Sequence, residues 1–259
     1  MNRYKYIDEG REHLHTLDGK PLFGTSTVTN VIGKDLTWWA AELSAVECLE
    51  KGEQIPTIRE EYLEAKKLGK VGIDALQVKY PAFKKARFAH YVNKNDKARL
   101  GTDRHALLEE WVKGVLSGNK VEPHADIQSF VDWARKEVKR FLWSEIHGYS
   151  ERLWTGGICD VGLELKDGTV AVVDAKSSPI AYFSQFVQCA GYDIELSENG
   201  GLDKDGNKIL DIPKVGAYIV FPFGAKNPIA DIRYNVGDFR ESFESAVSLH
   251  KQKSQFENK

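Results

Sequence analysis

The chain is predicted to fold as an α/β protein, with a mixed central sheet flanked by helices and an N-terminal, mostly helical extension. Three observations predict this. Short alternating apolar runs flank the turn signal Lys166-Asp167-Gly168, as in a β-hairpin. Residues 215–221 form a continuous apolar run, the pattern of a strand buried on both faces. Residues 96–116 and 180–196 repeat apolar side chains at helical spacing.

From the N-terminus, His13 to Leu17 and Lys20 to Phe23 flank Asp18-Gly19 and predict a hairpin. Its His13 and His15 read as strand surface, with metal binding the rarer alternative. Helices are predicted over 29–51 and 58–67, with Gly69 and Gly72 marking a break. Further on, Lys79, Lys84, Lys85, Arg87, Lys94, Lys97 and Arg99 alternate with Tyr80, Phe83, Phe88 and Tyr91. Either these cations meet DNA phosphates while the aromatics stack on unpaired bases, or the helix is solvated and its aromatics are core. Residues 126–146 read as one long amphipathic helix feeding the first core strand.

Downstream of the hairpin, Asp203-Lys204-Asp205-Gly206-Asn207 hints at a calcium loop. Its Gly arrives two positions early and no bidentate Glu closes it, so 202–211 reads as a turn or insertion. A strand at 232–236 and a closing helix at 238–251, with Asp238 as N-cap, complete the chain.

The hairpin at 157–176 carries the chemistry. A three-residue loop with Gly168 in the left-handed region pairs Leu165 with Thr169, Leu163 with Ala171, Val161 with Val173 and Cys159 with Ala175. On the other face the same register pairs Glu164 with Val170, Gly162 with Val172, and Asp160 with Asp174, their Cβ atoms roughly 5 Å apart. A two-residue turn would instead send Asp160 away from Asp174. Lys176 follows Asp174 by two residues and shares its face, about 6 to 7 Å along the strand.

Upstream, residues 150–154 read as a short strand ending at the turn signal Thr155-Gly156-Gly157, which sets Glu151 opposite Asp160. Like charges in a row repel unless a cation sits among them. Oxygen ligands at this spacing suit Mg²⁺ or Mn²⁺ rather than zinc. Such a metal polarises a phosphoryl oxygen and generates hydroxide for in-line attack, with Lys176 orienting water or the scissile phosphate. The plainer alternative is a solvated hairpin whose lysine makes a salt bridge.

Two helices add to this pattern. After Ser177-Ser178-Pro179, a helix start with Pro in its first turn, Gln188 and Tyr192 stand four apart on one face. Within 96–116, Gly101 and His105 are also four apart.

Together, Gly101-x-x-x-His105, Glu151, Gly157-x-x-Asp160, Asp174-x-Lys176 and Gln188-x-x-x-Tyr192 resemble the PD-(D/E)XK nuclease superfamily, in the branch of the RecB nuclease domain and phage exonucleases. The resemblance covers 96–196 and thins at both ends, although Ser26 to Thr29 and Trp38 to Ala41 look like the N-terminal helical part of phage members. It implies a restriction-endonuclease-like core at 96–259 behind an N-terminal hairpin and helical extension at 1–95. It also implies Asp160, Asp174 and the Ala175 carbonyl as metal ligands, His105 as a further ligand, Glu151 as a ligand or its support, and Lys176 as the catalytic lysine. Gln188 and Tyr192 would hold the DNA strand or brace that lysine. Cys159 stands where the superfamily has the Pro of its name, a position that faces the predicted core.

The implied activity is Mg²⁺-dependent hydrolysis of DNA, with Mn²⁺ able to substitute, by an exonuclease of recombination, repair or phage replication leaving 5′-phosphates. The substrate would be single- or double-stranded ends, with a recombination partner protein as a further expectation; ring-shaped oligomers occur among related exonucleases, but no interface follows from these residues. An endonuclease on the same fold and a catalytically silent DNA-binding module are the alternatives, and RNA is not excluded. Iron–sulfur members of the branch need four cysteines; this chain has three, Cys48, Cys159 and Cys189, so no such cluster is expected. Odd, scattered cysteines, no apolar run of membrane-spanning length and no signal-like N-terminus lead to a cytoplasmic expectation, host cytoplasm if phage-encoded. A net charge of −2 requires any DNA contact to be local.

Overall fold

The structure, a computed structural model, describes residues 2–9, 12–33, 40–41, 44 and 58–257. It divides into two compact units. One comprises Met1–Gly33 with Gly101–Lys259, the other Lys34–Leu100.

In the first unit, β1 (Tyr4–Glu9), β2 (Glu12–Leu17) and β3 (Lys20–Pro21) form a three-stranded antiparallel sheet. The expected turn at Asp18-Gly19 joins β2 to β3, and both its residues have positive φ, 50° and 72°. β4 (Phe23–Gly24) leads into α1 (Thr25–Thr29), which ends where the longer helix from residue 29 was expected. Residues 30–33 turn instead, and most of that expected helix, with Trp38, Trp39 and Cys48, lies outside the described residues.

In the second unit, α2 (Ile58–Lys67) and α3 (Gly69–Lys79) break at Gly69, whose φ is 65°. α4 (Pro81–Leu116) contributes residues 81–100 to this unit and 101–116 to the first. The Glu61 carboxylate accepts from Lys79 Nζ at 2.7 Å and from the Tyr80 hydroxyl at 2.8 Å, tying α2 to the end of α3.

The first unit continues through a 3₁₀ turn (Ala125–Ile127), α5 (Gln128–Glu137), β5 (Val138–Ser150), β6 (Thr155–Leu165) and β7 (Val170–Lys176). It ends with α6 (Phe183–Asn199), β8 (Gly201–Leu202), β9 (Lys208–Leu210), β10 (Ala217–Pro222), β11 (Asp231–Arg233) and α7 (Val236–Glu257). The main sheet has the order β11-β10-β7-β6-β5-β8-β9, with β4 parallel to β6. Among the described residues β4/β6 and β10/β7 pair in parallel and the other neighbours antiparallel, so the sheet is mixed.

Both faces of the central strands are covered. Leu108, Trp111 and Val112 of α4 and Phe130 and Val131 of α5 pack on Leu163, Val173, Ile219 and Phe221. On the opposite face Phe186, Val187 and Ala190 of α6 and Phe243 and Val247 of α7 pack on Val172, Tyr218 and Val220. Each buried side chain of this size contributes about 1.5–3 kcal/mol, and burial on two faces explains why 215–221 is apolar throughout. No described helix is long and apolar enough to cross a membrane.

Several boundaries differ from expectation. The helix expected over 126–146 stops at Glu137, and the chain continues as β5 because residues 138–150 ladder against β6. Thr155-Gly156-Gly157 is strand, not turn. α6 starts at Phe183 rather than after Ser178, with the Gln185 side chain accepting the Tyr182 N–H at 2.8 Å. β11 ends at Arg233 rather than 236, and Asp238 lies inside the first turn of α7 rather than at its cap.

Candidate metal centre

The hairpin of β6 and β7 has the expected register: Val161 pairs with Val173, Gly162 with Val172, Leu163 with Ala171 and Glu164 with Val170. Its loop is the three-residue one. The Gly168 N–H donates to the Leu165 carbonyl at 2.9 Å, Gly168 has φ 88°, and the Leu165 N–H donates to the Thr169 carbonyl at 2.8 Å. Paired strands continue to Val161 and Val173, and there the backbone ladder stops. Beyond it the Ala175 N–H donates to Asp160 Oδ2 at 3.0 Å, so a carboxylate takes the place of a carbonyl.

Asp174 and Lys176 share a face as expected, and Lys176 Nζ donates to Asp174 Oδ1 at 2.8 Å. The other oxygen of Asp174, Oδ2, is buried with no hydrogen-bond partner among the described residues. Burial raises the Asp174 pKa first, then the Asp160 charge, against the lowering effect of Lys176 and His105. Burial works against the charge on Lys176, yet Asp174 and Asp160 keep its pKa above the ordinary lysine value.

His105, on α4, brings Nδ1 to 3.4 Å from Asp160 Oδ2. The side chains grade from enclosed to open: Asp174 is 1% exposed, Asp160 13%, Lys176 23% and His105 31%. The group is therefore reached from the side of His105 and Lys176.

Glu151 is not part of it. The chain turns through residues 151–154 between Ser150 and Thr155, and Glu151 holds Arg3 with two hydrogen bonds of 2.9 Å on the surface. That turn is about 17 Å of strand from Asp160. The observed register shifts the upstream strand by six residues from the expected one.

Glu145 takes the place that was assigned to Glu151. The pairs Ser144 with Val161 and Ile146 with Cys159 bracket Glu145 and Asp160 across the β5/β6 ladder. Glu145 has φ 49°, in the left-handed region that L residues seldom adopt inside a strand. His105, Glu145 and Asp160 each present a ligand atom, and the three atoms lie within 4.8 Å of one another. Burial, then the charges of Asp160 and Glu109, push Glu145 up to about 8.

A divalent cation fits this arrangement. Two carboxylates and an imidazole converge, oxygen donors predominate, the buried Asp174 Oδ2 has no partner among the described residues, and like charges raise a pKa that a cation would lower.

Gln188 and Tyr192 lie on the buried face of α6, with Gln188 Nε2 donating to the Tyr192 hydroxyl at 2.5 Å. Burial first, then the charges of Asp174 and Asp160, raise the Tyr192 pKa. Gly157 leaves room for this helix: a Cβ there would come within 2.8 Å of the Tyr192 ring and 2.5 Å of Thr25 Oγ1. Cys159 accepts the Trp143 indole N–H at 3.4 Å, a role proline could not fill.

His15 is buried with Nδ1 2.6 Å from the Tyr4 hydroxyl, and His13 sits 3.2 Å from Asp8 and 2.9 Å from the Tyr6 hydroxyl. Among the described residues neither joins a group of three metal ligands. Lys84, Lys85 and Arg87 are exposed on α4 in the second unit, Arg87 lying 5.6 Å from the Phe88 ring centre, while Phe83 is half-buried against Tyr62. The side chains of Tyr91, Lys94, Lys97 and Arg99 lie outside the described residues. Neither a protein-family model nor a curated protein matches this chain.

Proposed function

We propose that the first unit is a restriction-endonuclease-like core of the PD-(D/E)XK type and that the protein is a Mg²⁺-dependent deoxyribonuclease, acting as an exonuclease. The observation that carries this reading is the convergence of His105, Glu145 and Asp160 within 4.8 Å, beside the Asp174–Lys176 pair.

His105, Glu145 and Asp160 would hold the metal, together with Asp174 and the Ala175 carbonyl. A bound Mg²⁺ or Mn²⁺ supplies Lewis-acid activation of a phosphoryl oxygen and a water of lowered pKa. Asp160 is aimed by the Ala175 N–H, so its position is tied to the strand that carries Asp174 and Lys176. Lys176, kept protonated by two carboxylates, orients a water or neutralises charge on the scissile phosphate. Gln188 and Tyr192, buried behind the site, brace that corner rather than grip a strand. Lys84, Lys85 and Arg87 remain the candidates for contact with DNA phosphates and unpaired bases.

The test is digestion of end-labelled linear DNA, single- and double-stranded, beside closed circular DNA, with Mg²⁺, Mn²⁺ or chelator. Metal-dependent loss of linear DNA alone, reduced about 10²- to 10⁴-fold by Lys176→Ala, is the expected result. Cleavage of circles would make it an endonuclease. Absence of cleavage under every metal, or cleavage unchanged by the substitution, removes the catalytic reading.

A further inference from the structure

The arginines of the first unit can be sorted by what each already holds. Arg3 is paired with Asp18 and Glu151, Arg135 with Asp132, Arg140 with Glu164, Arg152 with Glu198 and Glu244, Arg233 with Asp231, and Arg240 with Asp193. Arg104 alone among those with described side chains there has no carboxylate within 4.0 Å among the described residues.

Its surroundings are specific. Arg104 Nη1 lies 3.5 Å from the Phe223 carbonyl, at the limit of a hydrogen bond, and the guanidinium carbon lies 6.0 Å from the Phe223 ring centre. The Phe223 N–H in turn donates to the Lys176 carbonyl at 2.8 Å. The next residue in the chain, His105, faces Asp160. A loosely held, half-buried guanidinium thus stands where the helix carrying His105 meets the end of the strand carrying Lys176.

We propose that Arg104 is a phosphate-binding residue, taking the non-bridging oxygens of a DNA phosphate beside the one that is cleaved. The proposal rests on the hydrolase reading for the identity of its ligand. A guanidinium offers a planar fork that matches two phosphate oxygens, and one already paired to a carboxylate must surrender that partner first. Among the described residues Arg104 has no such partner to lose. A cation here also offsets the carboxylates of Asp160 and Asp174, which Lys176 and His105 face, for any polyanion that approaches.

The experiment is metal-free binding of fluorescein-labelled single-stranded and duplex oligonucleotides in chelator, read by anisotropy across a salt series. Wild type is compared with Arg104→Gln, Arg104→Lys and, as a control for loss of one surface cation, Arg135→Gln. Arg104→Gln is expected to weaken binding roughly tenfold and to reduce the slope of log K against log salt by about 0.7–0.9. Arg104→Lys keeps the slope and recovers only part of the affinity, and Arg135→Gln behaves as wild type. Wild-type affinity and slope in Arg104→Gln, or a wild type that binds neither oligonucleotide, overturns the proposal. The same preparations digested with Mg²⁺ separate the two readings. A wild type that fails to cut while Arg104→Gln flattens the slope leaves the phosphate contact standing without the hydrolase. Cutting by wild type with binding unchanged in Arg104→Gln removes Arg104 alone.

Discussion

Glu145 and Asp160 face one another from neighbouring strands, with a ligand atom of each within 4.8 Å of the other and of His105. Removing the Glu145 charge should therefore cost metal affinity. Glu145→Gln is expected to weaken Mn²⁺ binding at least about tenfold, measured by isothermal calorimetry or Mn²⁺ electron paramagnetic resonance. Metal binding equal to wild type would take Glu145 out of the ligand set.

Glu151→Gln serves as the contrasting substitution. This carboxylate is on the surface, its pKa lowered by the hydrogen bonds from Arg3, in an ion pair screened by solvent. Metal affinity and DNA cleavage should stay within about twofold of wild type. A large loss of cleavage would show that the 151–154 turn reaches the substrate after all.

The metal-free protein should lose stability as pH rises through neutrality. Glu145 and Glu195 are each pushed up to about 8, mainly by burial, so both fold most favourably as the neutral acid. That contribution is complete below the ordinary glutamate value of 4.5 and is lost as pH climbs toward 8. Melting in chelator between pH 5 and pH 8 should show a falling midpoint, flattened in part by Glu145→Gln and in part by Glu195→Gln. Saturating Mn²⁺ should remove only the Glu145 share, since Glu195 is hydrogen-bonded to Thr25 at 2.6 Å instead. A midpoint that rises over this range in chelator would contradict the assignment.

On the acid side the sign is reversed. Burial, then the neighbouring His147 and His13, lower the His15 pKa to about 4 from 6.5, so folding favours the neutral ring. Its contribution is present above 6.5 and is lost as pH falls toward 4. Measured against pH 7, the urea midpoint at pH 4.5 should lie higher in His15→Phe than in wild type; an unchanged offset would place this share of the acid response elsewhere.

Gly162 lies under the Trp143 indole, and a Cβ there would come within 1.9 Å of it. Gly162→Ala should destabilise by about 1–3 kcal/mol or more in urea denaturation, and Trp143→Leu in the same chain should recover part of the loss. A neutral Gly162→Ala would mean that the indole swings aside at little cost.

Much of the hairpin was legible because its information is local. Lys166-Asp167-Gly168 fixes the loop, the loop fixes the register, and the register sets Asp160, Asp174 and Lys176 together within seventeen residues of chain. His105 was legible only as part of a motif, since nothing in the spacing of one helix says which strand it meets.

Glu145 was hidden by two features of β5. Val138, Phe141, Leu142 and Ile146 fall at helical spacing and extend the pattern of α5, so the strand reads as more helix. Register shifts between Val138 and Arg140 and between Phe141 and Trp143, with the left-handed backbone at Glu145, break the two-residue alternation that would have announced a strand. The upstream register was then set from the nearest glycines, which in fact accommodate neighbours: Gly156 lies against His15 and Leu22, Gly157 against Thr25 and Tyr192.

The hydrogen bond from the Ala175 amide to Asp160 makes that one proton a gauge of the site rather than of the sheet. Its neighbours along the paired part of β7 exchange with solvent when strands separate, whereas Ala175 is released whenever a single side chain rotates away. Deuterium uptake at this position would time how often the carboxylate leaves its post while the surrounding fold stays shut.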